Sequence, residues 1–257
     1  MELGLRGKAA IVTGGTQGIG LATARLLAEE GAAVAVVARG RERLEAVAAE
    51  LRAMGGRVAA IGADVGRPAD CARVIEETRA AFGRIDILVN NAGTSATGAF
   101  ESVTDEAWQA DFDLKLFAAI RLVRLAVPEM KRQGSGAIVN VTNIGAKQPR
   151  AKSMPTTVTR AAGLAFTKAL SKEYAADGIR VNAVCIGLVR AGQHESRAAK
   201  LGQPVEDLYR DMAKEIPLGR VGEAAEAARV IAFLASSAAS FVTGSSVNLD
   251  GGASAVF

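Results

Sequence analysis

A glycine-rich segment near the N-terminus has the composition of a phosphate-binding turn. It reads Thr13-Gly14-Gly15-Thr16-Gln17-Gly18-Ile19-Gly20 and lies between a short β-branched run and an amphipathic helical pattern. Glycine allows a tight turn and a close approach to a pyrophosphate, whose charge the N–H groups at a helix start attract. A turn that only packs a helix on a strand is the alternative, but the flanking pattern favours a dinucleotide site. The predicted cofactor contacts here are Gly14, Thr16, Gln17, Gly18, Ile19 and Gly20.

The end of the second β-branched run selects between two dinucleotides. An acidic side chain there accepts hydrogen bonds from the ribose 2′-hydroxyl of NAD and repels the 2′-phosphate of NADP. This chain has Arg39, with Arg41 nearby and no acid before Glu42. Because a guanidinium engages a phosphate bidentately, NADP is the expected cofactor and NAD the less favoured one. The alternative for Arg39 is an exposed arginine at the start of a helix.

Short β-branched runs alternate with longer amphipathic patterns, which predicts βαβ units around a parallel sheet. The predicted strands are Ala9–Thr13, Ala33–Ala38, Val58–Ala63, Ile85–Asn90, Ala137–Thr142, Arg180–Cys185 and Ser246–Leu249. The clearest helical patterns are Gly18–Glu30 and Arg41–Met54. No repeat or linker interrupts the alternation, so residues 1–257 are predicted to form one α/β domain with a doubly wound, seven-stranded, Rossmann-like parallel sheet. The polar segment from Val189 to Leu218 is predicted to be a mobile flap over a substrate site.

Several further motifs follow the glycine-rich segment in a fixed order. They are Asp64-Val65, Asn90-Asn91-Ala92-Gly93, Arg180-Val181-Asn182-Ala183-Val184, Gly187-Leu188-Val189, Leu218-Gly219-Arg220, and Thr243-Gly244 leading to Asp250-Gly251-Gly252. In order and spacing, over nearly the whole chain, these motifs resemble the short-chain dehydrogenase/reductase superfamily.

The resemblance implies further cofactor contacts. Asp64 and Val65 would contact the adenine. Gly187 and Val189 would approach the nicotinamide. The residues that would line the cofactor groove are Asn91, Ala92 and Gly93. Because relatives of this kind assemble with themselves, a homo-oligomer, either dimer or tetramer, is expected.

The resemblance breaks at four catalytic positions. The family uses an Asn after the fourth strand, a Ser after the fifth, and Tyr-x-x-x-Lys on the next helix. In register with the flanking residues, these positions hold Lys115, Asn143, Thr156 and Arg160. The chain is identified as a divergent member without the Ser-Tyr-Lys set, and these four residues are its candidate catalytic residues.

The departures change the available acid and base chemistry. The hydroxyl of Thr156 is a far poorer acid than a phenol, so it does not act as the usual proton donor. Arg160, four residues later, can hold the cofactor ribose but keeps its proton. If Lys115 faces Arg160, repulsion lowers its pKa and makes it a candidate acid, base or amine nucleophile. Alternatively, Lys115 pairs with Asp111 or points to solvent.

The stretch from Asn143 to Arg160 is rich in positive charge. It contains Lys147, Arg150, Lys152 and Arg160 and no acidic residue. In the family this stretch lines the substrate cavity, so a small, anionic substrate is expected.

The composition argues against several other classes of protein. Lys and Arg total 31 against 27 Asp and Glu, and the surplus of +4 is spread along the chain, which gives little support to nucleic-acid binding. Cys71 and Cys185 have no metal-ligand spacing, so no metal is expected. No apolar run approaches about 18 residues and no leader pattern precedes the first strand, so a cytoplasmic protein without membrane contact is expected.

Three functions remain open from the sequence alone. The first is an NADP(H)-dependent oxidoreductase with an atypical active site. The second is a non-catalytic NADP-binding sensor or scaffold protein, and the third is a non-redox lyase or hydrolase on the same fold. Turnover of the cofactor separates the first from the other two.

Overall fold

A computed structural model of the chain describes residues 2–257, with the side chains of Gln193, Ser196 and Arg197 outside the description. The strands are β1 Ala9–Thr13, β2 Ala33–Ala38, β3 Val58–Gly62, β4 Ile87–Asn90, β5 Thr97–Gly98, β6 Gly136–Asn143, β7 Met154–Pro155, β8 Ile179–Ile186 and β9 Ser246–Leu249. The helices are α1 Gly18–Glu29, α2 Arg41–Ala53, α3 Pro68–Phe82, α4 Asp105–Phe112, α5 Ala118–Gln133, α6 Thr156–Glu173, α7 Gly192–Leu201, α8 Val205–Ala213 and α9 Ala224–Ala235.

Seven of the strands form one parallel sheet in the order β3-β2-β1-β4-β6-β8-β9. Strand β1 is buried along its whole length, and β2 is buried up to its last residue. Such continuous apolar strands are typical of a sheet covered on both faces. The order reverses between β1 and β4, and open parallel sheets bind ligands in the crevice at such a point. The predicted doubly wound α/β fold is therefore confirmed.

Helices cover both faces of this sheet. On one face Leu27 of α1, Leu44 of α2 and Ile231 of α9 belong to one buried cluster. On the other face Leu122 of α5 and Leu170 of α6 belong to a second one. The two clusters hold the strand ends in fixed positions, so the residues that follow each strand are presented from a rigid scaffold.

Two local features were not predicted from the sequence. Strands β5 and β7 form a small antiparallel pair, with Thr97 opposite Pro155 and Gly98 opposite Met154. A π-helical turn, Asp113–Phe117, joins α4 to α5. Wide turns of this kind are rare and occur frequently at functional sites. This turn contains Lys115, whose side chain is 0% exposed.

The segment predicted to be a flap contains α7 and α8. Tyr209 of α8 packs in a small buried cluster with Ile216 and Val221. The mobility of the segment stays a prediction. Within the described part of the chain, no helix is both long and apolar enough to span a bilayer.

Candidate active site

A groove of about 220 Å³ lies at the carboxyl ends of the central strands. It is lined by eight of the predicted cofactor contacts, namely Gly14, Thr16, Gln17, Arg39, Asp64, Val65, Ala92 and Gly93. The lining also includes Leu114, which the sequence did not indicate.

The glycine turn is shaped by contacts that a side chain would block. Gly14 has φ +65, and a Cβ there would lie 3.0 Å from the Asn91 amide nitrogen. A Cβ on Gly20 would clash with the Gly14 carbonyl oxygen. Helix α1 begins here, and among the described residues no side chain caps it. The first N–H groups of the helix are therefore available to a phosphate.

The groove has a cationic rim beside the second strand. Arg39 is exposed there, and no carboxylate of the described residues pairs with it. Arg43 donates a hydrogen bond of 3.1 Å to the Gln17 side-chain oxygen, which adds a second guanidinium near the turn. The residues present fit a pyrophosphate at the turn and a 2′-phosphate at Arg39.

Seven predicted cofactor residues lie outside the groove lining: Gly18, Ile19, Gly20, Asn91, Arg160, Gly187 and Val189. Asn91 donates to the Thr13 carbonyl at 2.8 Å, so its amide is already used to position the turn. Gly187 packs against Asp250, and Val189 is buried and bridges to Gly222. Asn91 therefore shapes the groove from behind the glycine turn, and its direct contact with the cofactor stays a prediction.

Three of the four candidate catalytic residues, Lys115, Thr156 and Arg160, lie close together. Among the described residues, no hydrogen bond joins Asn143 to them. Lys115 and Thr156 are joined by a hydrogen bond of 2.8 Å from the ammonium to the hydroxyl. Lys115 also forms an ion pair with Asp111, one helical turn earlier. Lys115 therefore pairs with Asp111, as one of the two alternatives stated, and it does not point to solvent.

The Thr156 hydroxyl uses its full hydrogen-bonding capacity. It accepts from Lys115 and from the Ala96 N–H at 3.0 Å, and it donates to the Ala96 carbonyl at 2.9 Å. A hydroxyl has one proton and two lone pairs. In this state the hydroxyl proton is therefore donated to the Ala96 carbonyl.

Arg160 lies between the sheet and the cofactor groove. Its guanidinium donates to the Val141 carbonyl at 2.6 Å, and its other terminal nitrogen faces Gly93, where a Cβ would clash with it. Burial lowers the pKa of Arg160 to about 10, with Asp111 acting in the opposite direction. The guanidinium therefore remains charged at neutral pH.

Burial is also the main reason why the pKa of Lys115 lies below its ordinary value. The neighbouring Arg160 lowers this pKa further, and the hydrogen bond and charge of Asp111 raise it. The expected repulsion between Lys115 and Arg160 is thus present, together with a counter-ion.

Two of the basic residues between Asn143 and Arg160 are engaged by other parts of the fold. Lys147 donates to the Asn248 side chain at 2.6 Å and to the Ser246 carbonyl at 3.0 Å, so it is bound to β9. Arg150 pairs at the surface with Glu215 at 3.4 Å. The positive charge at the site comes mainly from Lys115 and Arg160.

Sequence reasoning missed part of this site. Thr159 contacts both Asp111 and the Pro155 carbonyl, the latter at 2.9 Å, and nothing in the sequence singled it out. The spacing of four residues between Asp111 and Lys115 is the sequence signal for this ion pair. Asn143 carries a buried side-chain oxygen without a hydrogen-bond partner among the described groups, and it does not line the cofactor groove. No group of three metal-ligating side chains occurs in the described part of the chain.

Comparison with known proteins places this site in a family. A family model described as Enoyl-(Acyl carrier protein) reductase matches residues 14–254. An uncharacterized oxidoreductase of Thermotoga maritima is 36% identical over 254 residues, which cover 99% of this chain and 100% of the relative.

Two solved structures are similar over nearly their whole length. L-sorbose reductase from Gluconobacter frateurii, complexed with NADPH and L-sorbose, has a TM-score of 0.95 and 36% identity, with 100% of each chain covered. An NADPH-bound short chain oxidoreductase from Pseudomonas aeruginosa PAO1, described as containing an atypical catalytic center, has a TM-score of 0.92 and 39% identity, covering 97% of this chain and 98% of that one. Since these likenesses span the glycine turn, the sheet and the cluster around Lys115, the chain belongs to the short-chain dehydrogenase/reductase superfamily of oxidoreductases.

Proposed function

We propose that this chain is an NADPH-dependent reductase of a small carbonyl, C=C or C=N compound, with an active site in which Lys115, Asn143, Thr156 and Arg160 replace the usual residues. The observation that carries the proposal is the 2.8 Å hydrogen bond from the Lys115 ammonium to the Thr156 hydroxyl, beside the cofactor groove. It joins a cation of lowered pKa to a hydroxyl at the position where the family has its proton donor.

The choice of NADPH rests on the cationic rim of the groove. Arg39 supports a 2′-phosphate, and the two solved structures described above contain NADPH. NADPH, when bound, supplies the hydride. Arg160 is proposed to hold the nicotinamide ribose, because its free terminal nitrogen faces Gly93 in the groove wall.

The proton is proposed to move through Thr156. A substrate oxygen that replaces the Ala96 carbonyl as the acceptor would receive the hydroxyl proton as negative charge develops on it. Lys115 would donate a proton to the threonine oxygen in the same step, so Thr156 relays and Lys115 is the acid. Asn143, with its unpaired side-chain oxygen, is proposed to orient the substrate.

The relay is tested by a pair of substitutions at Thr156. Thr156→Val keeps the shape and removes the hydroxyl, so we expect the rate of NADPH oxidation to fall by roughly a hundredfold or more. Thr156→Ser keeps the hydroxyl and should retain activity within several-fold. The assay follows NADPH fluorescence with L-sorbose, acetone, pyruvate and acetoacetyl-coenzyme A. Equal rates for the valine and serine variants would refute the relay.

The same panel tests the charge of the substrate. Lys115 and Arg160 have one carboxylate, Asp111, between them, so a surplus of positive charge lies behind Gly93 in the groove wall. We expect pyruvate or acetoacetyl-coenzyme A to be reduced faster than acetone at equal concentration. Faster reduction of the neutral compounds would remove the anionic substrate from the proposal.

Restoring the usual family residues should produce ordinary ketone reduction. The variant combines Lys115→Asn, Asn143→Ser, Thr156→Tyr and Arg160→Lys. Asp111→Asn is added, because the carboxylate would otherwise be left buried without its cation. We expect acetone reduction to rise above that of the natural protein, which lacks a phenolic donor. A folded variant that binds NADPH and shows no rise would mean that the substrate pocket itself has diverged.

One observation favours a second candidate function, a non-catalytic NADP-binding protein. The Lys115 side chain is 0% exposed and Thr156 is 4% exposed, so a substrate has to displace the Ala96 contact to reach either group. The outcome that selects this function is tight NADPH binding without oxidation of NADPH by any member of the panel. In either function a homo-oligomer is proposed, as for similar proteins of this family.

A further inference from the structure

Of the described residues, Asp111 supplies the one negative charge that faces two buried cations, Lys115 and Arg160. Its side chain is 2% exposed and that of Lys115 is 0% exposed. Among the described residues, the charged groups that face the Lys115 ammonium are Asp111, from α4, and Arg160, from α6. A buried ion that loses its partner is strongly destabilised, and this carboxylate favours the charged form of both cations against the effect of burial.

Both oxygens of Asp111 are in use. One contacts the Lys115 ammonium and the other accepts from the Thr159 hydroxyl. Thr159 also contacts the Pro155 carbonyl at 2.9 Å, at the start of α6. The carboxylate is therefore fixed in orientation between α4, the π-helical turn and α6.

The pair spans the junction between α4 and the π-helical turn. Asp111 lies in the last turn of α4, and Lys115 lies in the following turn, Asp113–Phe117. On one helix, residues four apart lie on the same face. Here that face is turned inward, toward Thr156 and Thr159 of α6.

We propose that Asp111 is a positioning residue, which holds the Lys115 ammonium against Thr156 and keeps the buried lysine in its protonated form beside the second cation, Arg160. The link to catalysis rests on the proposed function, in which Lys115 is the acid. The placement and charging of Lys115 by Asp111 do not rest on it.

The direct test is a titration of Lys115 by NMR with isotope-labelled lysine side chains, in which Lys115→Met assigns the signal. Removing an opposite charge disfavours the protonated lysine, so Asp111→Asn should lower the titration midpoint of Lys115 by about one pH unit or more. Asp113→Asn is the matched control. Asp113 lies in the same π-helical turn but pairs with Arg121 at 2.9 Å, so this variant should leave the midpoint unchanged.

A second variant keeps the test decisive if Asp111→Asn does not fold. Thr159→Val removes the hydroxyl that holds the carboxylate, and we expect a smaller fall of the same midpoint. An unchanged midpoint in the folded Asp111→Asn variant, or in Thr159→Val when the former does not fold, would overturn the inference. So would an equal shift in Asp113→Asn.

Enzyme assays separate this inference from the proposed function. With pyruvate and NADPH, the alkaline limb of the rate profile should move to lower pH in Asp111→Asn, because the acid form of Lys115 is lost earlier. If the NMR midpoint shifts as expected but no member of the substrate panel is reduced by the natural protein, the inference stands and the proposed function fails. If Lys115→Met keeps full activity, Lys115 is not the acid, whatever the titration shows.

Discussion

Replacing Arg39 by aspartate is expected to weaken NADPH binding by roughly a hundredfold and to leave NADH binding equal or tighter. A hydrogen bond to a charged group contributes about 1.5–3 kcal/mol of binding free energy, and each 1.4 kcal/mol is about a factor of ten in affinity. Repulsion between the introduced carboxylate and the 2′-phosphate adds to the loss, while an acid at this position can accept from the 2′-hydroxyl of NADH. Calorimetric titration with both cofactors measures the change.

Arg41→Asp is the matched control for this experiment. Arg41 is also exposed and lies two residues later, but it does not line the groove. We expect its effect on the ratio of NADPH to NADH affinity to be less than about tenfold, since only a screened, long-range charge is changed. Equal affinities of the natural protein for the two cofactors, or equal effects of the two substitutions, would rule out Arg39 as the source of the preference.

Lys115→Met is expected to reduce the free energy of unfolding by about 3–5 kcal/mol, because it leaves the Asp111 carboxylate buried without its cation. Such a loss is large against the stability of about 5–15 kcal/mol that is typical of folded domains. Urea denaturation at neutral pH measures it. The same substitution should abolish reduction of every panel substrate, because Thr156 then has no donor to replace its proton.

The double variant Asp111→Asn with Lys115→Met isolates the ion pair. A neutral pair of similar volume removes the unpaired charge, so we expect most of the lost stability to return while activity remains absent. If Lys115→Met is as stable as the natural protein, the lysine is not the buried partner of Asp111. If the double variant is no more stable than the single one, the loss has another cause, such as packing around the methionine.

The sheet was predictable because its signal is local. Strands β1, β2 and β9 were predicted with their observed bounds, since each is a short β-branched run flanked by turn residues. The glycine turn was predictable for the same reason, and its residue Gly14 lines the groove, as does Arg39 at the end of β2. The ends of β3, β4, β6 and β8 differed by one or two residues, because pairing with a neighbouring strand decides where a strand ends.

The catalytic region was less predictable because it depends on contacts between distant segments. The family resemblance located Lys115 and Thr156, but not the Ala96 backbone that engages the threonine, which is 60 residues away in the chain. The short β5 and β7 pair has no periodic signal, since each strand has only two residues. Lys147 belongs to the stretch that was expected to line the substrate cavity, but its amine is bound to β9, about a hundred residues later, which no local pattern indicates.

A crystal structure of the complex with NADPH is the most direct test of the account. We expect the 2′-phosphate at Arg39, the ribose of the nicotinamide at Arg160, and the Thr156 hydroxyl, backed by Lys115, as the nearest proton donor to the C4 face of the ring. A complex in which the 2′-phosphate lies away from Arg39, or in which neither Thr156 nor Lys115 has access to the space in front of C4, would contradict the proposed active site.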